Sequence, residues 1–411
     1  MKIRSITCFY DPGTKFAFRQ LDLLAEASQE LKQKAASIGI EVQSIRLATP
    51  PFPRMVPTCC DESAIQFVTT LERDANERGF SYISFGPALP DEPSSYKLIP
   101  SLLANTRQAF FGAVIADKAG IHLPALRECA QVICQNAALD ASGFTNLRFA
   151  ALANTPAFVP FFPAAYAQPG APASFALALE TADLAVSAFE SCRTLEEGRK
   201  TLLAELNDAT ARLARLAEPL ADRLGLVFHG FDCSLAPFPE DRCSLGNALE
   251  KIGVSTVGFP GSLAACSVLT STLDQGSWKR VGFNGLFMPV LEDSVLARRA
   301  AQGALTLRDL LISSAVCGAG LDTVPLPGDA SPAQLEGVLL DLAALALRLN
   351  KPLTARLMPV PRCKAGDETS FSFDFFANSR VMDLPPASLK GLLAGDEVIP
   401  IFPRICKENP G

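Results

Sequence analysis

The chain has 411 residues, of which 48% are apolar and 19% are charged, so a substantial buried core is expected. Its net charge is −6 and its basic residues form no cluster, which argues against nucleic acid as a partner. The N-terminus lacks the apolar core of a signal peptide, and no stretch reaches the roughly 18 apolar residues of a membrane span. We therefore expect a cytoplasmic protein that works without a membrane.

The first part of the chain alternates strand-like and helix-like segments, which is typical of stacked α/β layers. Period-two patterns predict strands, and apolar residues at helical spacing before Gly39 and Gly79 predict helices. The predicted strands are 3–9, 41–48, 82–85, 110–115 and 146–152, and the predicted helices are 16–38, 61–78 and 123–138.

An aromatic and proline-rich run, 158–166, follows these elements. Its prolines exclude a central strand. It is either a rigid loop packed on the core or the aromatic wall of a binding pocket, since binding sites often lie on loops above a scaffold.

The second half repeats the strand–helix pattern after an apolar segment, 173–186, that we expect to begin extended. Thr194 and Glu197 form a capping pattern for a helix that reaches Leu224, with a leucine stripe from Leu202 to Leu220. The remaining predicted helices are 244–252, 262–273, 294–302, one that Thr306 begins, and 331–349; the predicted strands are 226–231, 254–258, 281–290, 353–359 and 370–376.

The most informative stretch is 305–329, where a capped helix runs into a glycine-rich corner. Cys317 lies beside Gly318 and Gly320, and Asp322 follows in a short extended segment. The glycines permit positive φ and close backbone approach. The corner is either a tight helix-to-strand turn with a buried cysteine or a stiff loop that carries a reactive thiol and a carboxylate.

Polar residues also mark the ends of two other predicted strands. His229 lies near the end of strand 226–231, and Asp232 and Ser234 follow it; Asn284 lies in strand 281–290, and Glu292 and Asp293 follow that strand. The adjacent acids either cap the helix that follows or join Asp232 and Asp322 around a cleft that includes Cys317. Clustered carboxylates raise one another's pKa or bind a hard divalent cation, so a cation is one candidate cofactor.

Three motifs carry a resemblance to a known family: GLVFHGFDCSLAP at 225–237, VGFNGLFMPVLED at 281–293 and SAVCGAGLDTVPLPGD at 314–329. At these motifs the chain resembles the uncharacterised UPF0210 (DUF711) proteins, and the resemblance extends from Ile3 to about Val381. It implies one large α/β domain, a ten-stranded barrel with helices packed outside, similar to the pyruvate formate-lyase-like glycyl radical enzymes. Its two halves would be 1–190 and 191–411.

The glycyl radical motif RVxGY is absent, because Arg380 and Val381 are followed by Met382 and Asp383. Radical chemistry is therefore not expected. The leading hypothesis is an enzyme that acts on a small polar metabolite, and the alternative is a sensing or regulatory protein on a degenerate barrel. The predicted catalytic residues are Cys317, Asp322, Asp232, Glu292 and Asp293, and the predicted substrate-binding residues are His229, Ser234, Asn284, Gly318 and Gly320.

The low charged fraction and the leucine stripe also favour a homodimer, since interface cores are depleted of charge. The alternative for the stripe is packing within its own chain.

Overall fold

A computed structural model describes residues 1–15, 17–56, 61–386 and 388–404. The strands are β1 (Lys2–Phe9), β2 (Ile45–Ala48), β3 (Tyr82–Ala88), β4 (Ala109–Asp117), β5 (Gly120–His122), β6 (Phe149–Ala153), β7 (Ser174–Glu180), β8 (Val227–Asp232), β9 (Gly320–Pro327), β10 (Leu353–Val360) and β11 (Val398–Ile399). The helices are α1 (Ala17–Ser37), α2 (Asp61–Glu77), α3 (Ser94–Ala104), α4 (Leu123–Ala137), α5 (Ala182–Glu190), α6 (Leu195–Leu224), α7 (Leu245–Ile252), α8 (Ser262–Leu273), α9 (Ser294–Ala301), α10 (Leu307–Ser314) and α11 (Pro332–Arg348).

The strands form one large mixed sheet in the order β8-β7-β1-β2-β3-β4-β6-β10-β9. Strands β1, β2, β3, β4 and β6 run parallel to one another. The pairs β7–β8 and β9–β10 are parallel within themselves but antiparallel to that group. The N-terminal ends of β1, β2, β3, β4 and β6 therefore lie at the same end of the sheet as the C-terminal ends of β7, β8, β9 and β10.

The segment 280–290, which the sequence predicts as a strand, touches both outer strands of this order. It makes isolated parallel bridges from Arg280 to Phe231, from Leu286 to Leu235 and from Pro289 to Asp322. A continuous ladder is interrupted because Gly282 and Asn284 have positive φ, at 80° and 47°. The segment is thus extended in pieces rather than as a regular strand.

The two faces of the sheet bury different things. One face of the sheet packs against the helices. On the other face, small side chains such as Ala150, Ala176 and Ala178 leave room for loop 158–167 to pack against the sheet. Buried hydroxyls hold that loop, because Thr7 Oγ1 donates to the Pro160 carbonyl at 2.7 Å and Ser84 Oγ donates to that of Ala165 at 2.7 Å. The aromatic loop is therefore a fixed part of the interior.

The long helix α6 begins at the predicted cap, where Thr194 Oγ1 accepts from the Glu197 amide. Its leucine stripe is mostly buried within the same chain, with Leu202, Leu206 and Leu213 at 0% exposure and Leu216 partly buried. The stripe is an intramolecular seam, as the alternative interpretation holds. No helix in the described ranges is long and apolar enough to cross a membrane.

Several predicted elements are wrong. Residues 254–258 form turns rather than a strand, and 370–376 form a loop because the Asn378 side chain bonds both the amide and the carbonyl of Phe371. Helix α3 is missing from the prediction because it contains Pro100, and α5 because its mainly apolar sequence resembles a buried strand.

Candidate functional site

Three arginines lie within strands of the sheet. Arg4 is in β1, Arg46 in β2 and Arg356 in β10, and all three line one cavity at the edge where the strand groups meet. Arg356 is only 8% exposed. Because burying a charge is costly unless it is paired, their positions require specific acceptors or a ligand.

Arg4 and Arg356 are held in a continuous ion-pair network. Arg4 donates to Glu180 at 3.0 Å and to Glu292 at 2.6 Å. Arg356 donates to the second oxygen of Glu292 at 2.7 Å and to Asp322 Oδ1 at 2.6 Å. Both oxygens of Glu292 are thereby bonded to guanidinium groups. The network contains three carboxylates and two guanidiniums.

Asp322 reaches this network from a β-bulge. The register between β10 and β9 shifts so that Asp322 and Thr323 together stand opposite Arg356. Thr323 has φ of 39°, which is strained for a β-branched residue. Burial raises the pKa of the Asp322 carboxyl, while the attraction of Arg356 opposes that rise. The bulge directs this carboxylate toward the cavity.

The cavity has a volume of about 250 Å³, slightly less than the roughly 300–1,000 Å³ of typical ligand pockets. Eight aromatic residues form much of its wall, and two of them belong to loop 158–167, which agrees with the predicted aromatic wall. The aromatic lining consists of Tyr82, Phe110, Phe144, Phe161, Phe162, Phe287, Phe373 and Phe375. A small ligand with an apolar body fits such a surface.

Arg46 differs from the other two arginines because, in the described structure, no carboxylate binds it. Its Nε donates to Ser44 Oγ at 2.9 Å, and its guanidinium lies 5.2 Å from the ring centre of Phe162 and 5.7 Å from that of Tyr82. Burial, and after it the repulsion of Arg4, lowers the pKa of Arg46 to about 9. The cavity therefore contains a guanidinium with open terminal N–H groups.

Among the predicted site residues, the structure brings Glu292 and Asp322 together on this cavity. Asp232, Ser234 and Asn284 form a separate buried cluster, where Asp232 Oδ1 accepts from Ser234 Oγ at 2.6 Å and from the Asn284 amide at 3.0 Å. Burial raises the pKa of Asp232, although these hydrogen bonds oppose the rise. The cluster attaches segment 280–290 to the end of β8.

Asp293 caps helix α9, as the alternative interpretation proposes. Its Oδ1 accepts from the amides of Val295 and Leu296, and from Ser244 Oγ at 2.6 Å. The carboxylate thus joins the starts of α7 and α9. It does not line the cavity.

Cys317 is 1% exposed and does not line the cavity either, and its carbonyl oxygen accepts from Lys351 Nζ. Gly318 packs directly against Gly285, and Gly320 has φ of 98°. His229 stacks on Phe158 with ring centres 4.1 Å apart. The predicted catalytic and binding roles of these residues stay predictions, but their surroundings are those of buried packing.

The sequence interpretation missed the arginines, and a signal for two of them exists. Arg46 and Arg356 each lie between mainly apolar strand residues, where a charged side chain is rarely buried without a partner, whereas Arg4 lies in a strand of mixed polarity. A charged residue inside an apolar strand predicts a buried polar site, whereas acids at strand ends also serve as helix caps.

Few side chains are placed to coordinate the predicted divalent cation. Within the described ranges, no three His, Cys, Asp or Glu side chains are grouped closely enough to hold a metal ion. Glu292 and Asp322 are already bonded to arginines. The cation stays an untested prediction.

Comparisons with known proteins give consistent matches over most of the chain. The family model described as "Uncharacterised ACR (DUF711)" matches residues 1–375. A UPF0210 protein of Pyrobaculum aerophilum is 33% identical over 354 residues, which cover 82% of this chain and 78% of that protein. A UPF0210 protein of Oleidesulfovibrio alaskensis is 28% identical over 402 residues, which cover 92% of this chain and 88% of that protein.

Among solved structures, a chain of an anaerobic ribonucleotide reductase matches with a TM-score of 0.37 and 7% identity. The match covers 86% of this chain and 70% of that one.

Proposed function

The chain belongs to the DUF711 family, and we propose that it binds a small metabolite with an anionic group in the arginine- and aromatic-lined cavity. The observation that carries the proposal is Arg46, a cation among aromatic rings whose terminal N–H groups meet no carboxylate of the described chain. A guanidinium fork matches the geometry of a carboxylate or phosphate group.

The charge of the cavity supports an anionic ligand. Five arginines line it, namely Arg4, Arg46, Arg107, Arg148 and Arg356, against the two carboxylates of Glu292 and Asp322. This excess of positive charge contrasts with the net charge of −6 of the whole chain. A cleft with one sign of charge and apolar walls raises the local concentration of ions of the opposite sign.

The test is binding of 3-phenylpropionate, an aromatic anion, compared with its uncharged amide. Isothermal titration should show binding of the anion to the wild-type chain and a loss of about tenfold or more in Arg46→Gln, since a charge-assisted contact contributes ~1.5–3 kcal/mol. Arg298→Gln is the matched control, because Arg298 pairs with Asp241 at an exposed position outside the cavity. Equal binding of the anion and the amide, or an unchanged Arg46→Gln, contradicts the proposal.

Both the enzyme and the sensor form of this function are compatible with an anion site, and the surroundings of the predicted nucleophile favour the sensor. Cys317 is buried away from the cavity, and both oxygens of Glu292 already accept from guanidinium groups, which weakens it as a base. A metabolite screen that records both thermal stabilisation and turnover separates the two forms. Turnover that is lost in Cys317→Ser establishes the enzyme, whereas stabilisation without turnover supports the sensor.

We also propose that segment 280–290 closes the sheet into a ten-stranded barrel. The support is a set of backbone bonds on both sides, from the Leu235 amide to the Gly285 carbonyl at 3.0 Å and from the Val290 amide to the Asp322 carbonyl at 3.1 Å. Hydrogen exchange is the test. Protection of these two amides equal to that of β1 supports closure, and fast exchange of both refutes it.

A homodimer in the cytoplasm remains our proposal for the assembled protein. Because the α6 stripe is buried, the support comes from the exposed apolar residues Phe259, Leu263 and Ile312 beside one surface groove. Light scattering at micromolar concentration decides it, since a mass near the chain mass of 43.8 kDa excludes the dimer. Cell fractionation tests the location.

A further inference from the structure

Asp322 has one carboxylate oxygen without a hydrogen bond. Its Oδ1 accepts from Arg356 Nε, whereas Oδ2 accepts from no group of the described residues. The residue is 6% exposed and lines the cavity. An ionised carboxylate offers about four acceptor positions, and a buried one that is left partly unbonded is costly. The open oxygen therefore needs a donor that enters through the cavity.

The neighbouring acid does not share this property. Each oxygen of Glu292 already accepts from a guanidinium, of Arg4 or Arg356, so Asp322 is the lining carboxylate of the described structure with an oxygen that has no donor. The strained Thr323 next to it belongs to the same bulge. Strain of this kind persists only where the surrounding structure enforces it, and it concentrates at binding and catalytic sites.

The balance of charges in the ion-pair network indicates that the donor to Asp322 is positively charged. The network of Glu180, Glu292 and Asp322 with Arg4 and Arg356 has three negative and two positive groups. The network therefore carries one negative charge in excess, and Asp322 is the end carboxylate that lines the cavity. Arg46 supplies one positive charge that no carboxylate of the described chain pairs. Arg46 and the Asp322 end of the network carry opposite charges and face the same space, which Arg107 and Arg148 also line.

We propose that the ligand is a zwitterion of the amino acid type, with its ammonium group on Asp322 Oδ2, its anionic group on Arg46 and its apolar body against the aromatic walls. This inference rests on the proposed anion site and adds the second charge of the ligand. An ammonium group donates three hydrogen bonds and neutralises the excess carboxylate, which a hydroxyl group does only in part.

The experiment compares matched probes on the full-length chain by isothermal titration at pH 7. Phenylalanine and 4-(aminomethyl)benzoate are the zwitterions, with two different charge separations. 3-Phenylpropionate and 4-methylbenzoate lack the ammonium group, and phenyllactate and 4-(hydroxymethyl)benzoate replace it with a hydroxyl group. We expect at least one zwitterion to bind about 10-fold or more tightly than both of its analogues, the range of a charge-assisted hydrogen bond.

The Asp322→Asn variant keeps the shape of the side chain but replaces the open acceptor with an amide. In this variant the zwitterion should bind no more than about threefold more tightly than its analogue without the ammonium group, and that analogue should still bind. Arg46→Gln should instead weaken binding of both the zwitterion and that analogue.

Each result has a defined meaning. Binding of the des-amino acids without preference for the ammonium group overturns the zwitterion but leaves the anion site intact. Preference for the hydroxyl probe over the zwitterion also overturns it. Failure of every anionic probe refutes the anion site itself. If Asp322→Asn does not fold, the comparison of probes on the wild-type chain still decides, because it needs no variant.

Discussion

Arg356→Met should destabilise the fold strongly, because it removes the guanidinium from two buried carboxylates. Glu292 keeps its bond to Arg4, so Asp322 is the carboxylate left without a partner. Breaking one side of a buried ion pair costs about 3–5 kcal/mol, and we expect a loss in this range at pH 7. Arg298→Met is the matched control, since its pair with Asp241 is exposed and should contribute no more than about 1 kcal/mol.

The loss should depend on pH in a specific direction. Burial raises the pKa of Asp322, and removing Arg356 raises it further. A carboxyl whose folded pKa is above its unfolded value binds its proton more tightly in the fold, so stability is highest at low pH and falls as pH rises through the folded pKa. The deficit of Arg356→Met should therefore be largest at pH 7 to 8 and shrink toward pH 5.

Urea unfolding measures both effects. The single tryptophan, Trp278, is 7% exposed, so its fluorescence reports the loss of buried structure. The free energy of unfolding is compared between the wild type, Arg356→Met and Arg298→Met at several pH values. A loss below about 1 kcal/mol, or one that does not change with pH, would show that Asp322 and Glu292 do not depend on Arg356.

Other substitutions test separate features. Gly258→Ala should cost at least about 3 kcal/mol because its Cβ would collide with a backbone carbonyl at positive φ, whereas Gly253→Ala, with open space around it, should cost only about 1–2 kcal/mol in thermal melts. Leu213→Glu should unfold the chain rather than split a dimer, by circular dichroism and light scattering, while the exposed Arg215→Glu should leave both unchanged. Burial lowers the pKa of His229 from 6.5 to about 4, so its neutral form stabilises the fold above pH 6.5 and this stability is lost as pH falls toward 4. Wild-type unfolding free energy should fall more steeply over that interval than that of His229→Gln, and an NMR titration of His229 near pH 6.5 would contradict it.

The acids at strand ends show why the candidate site was only partly predictable. Glu292 and Asp293 are adjacent in the sequence, yet one pairs with buried arginines and the other caps a helix. Residue type and spacing are the same for both roles. The difference comes from contacts that are distant in sequence. Pro289 bridges to Asp322 of β9, and Asp293 accepts from Ser244 at the start of α7.

The arginines show the complementary case. Arg4 and Arg356 are 352 positions apart, and nothing local indicates that they share Glu292. The position of Arg356 among mainly apolar strand residues does predict that it needs a partner, whereas Arg4 lies in a strand of mixed polarity. The sequence could therefore have identified Arg356 as a site residue, but not which acids it binds or that Arg46 would be left without one.

Local rules determined most of the regular structure: the caps at Thr194 and Thr306, the apolar face of α6 and most strands follow from hydrogen-bonding capacity and periodicity within a few residues. The family motifs were likewise readable from the sequence. The tertiary structure alone decided the strand order, the packing of loop 158–167 against one face of the sheet and the bulge at Asp322. These depend on packing and charge pairing between residues far apart in the chain, where free energy is gained only when the whole interior is assembled.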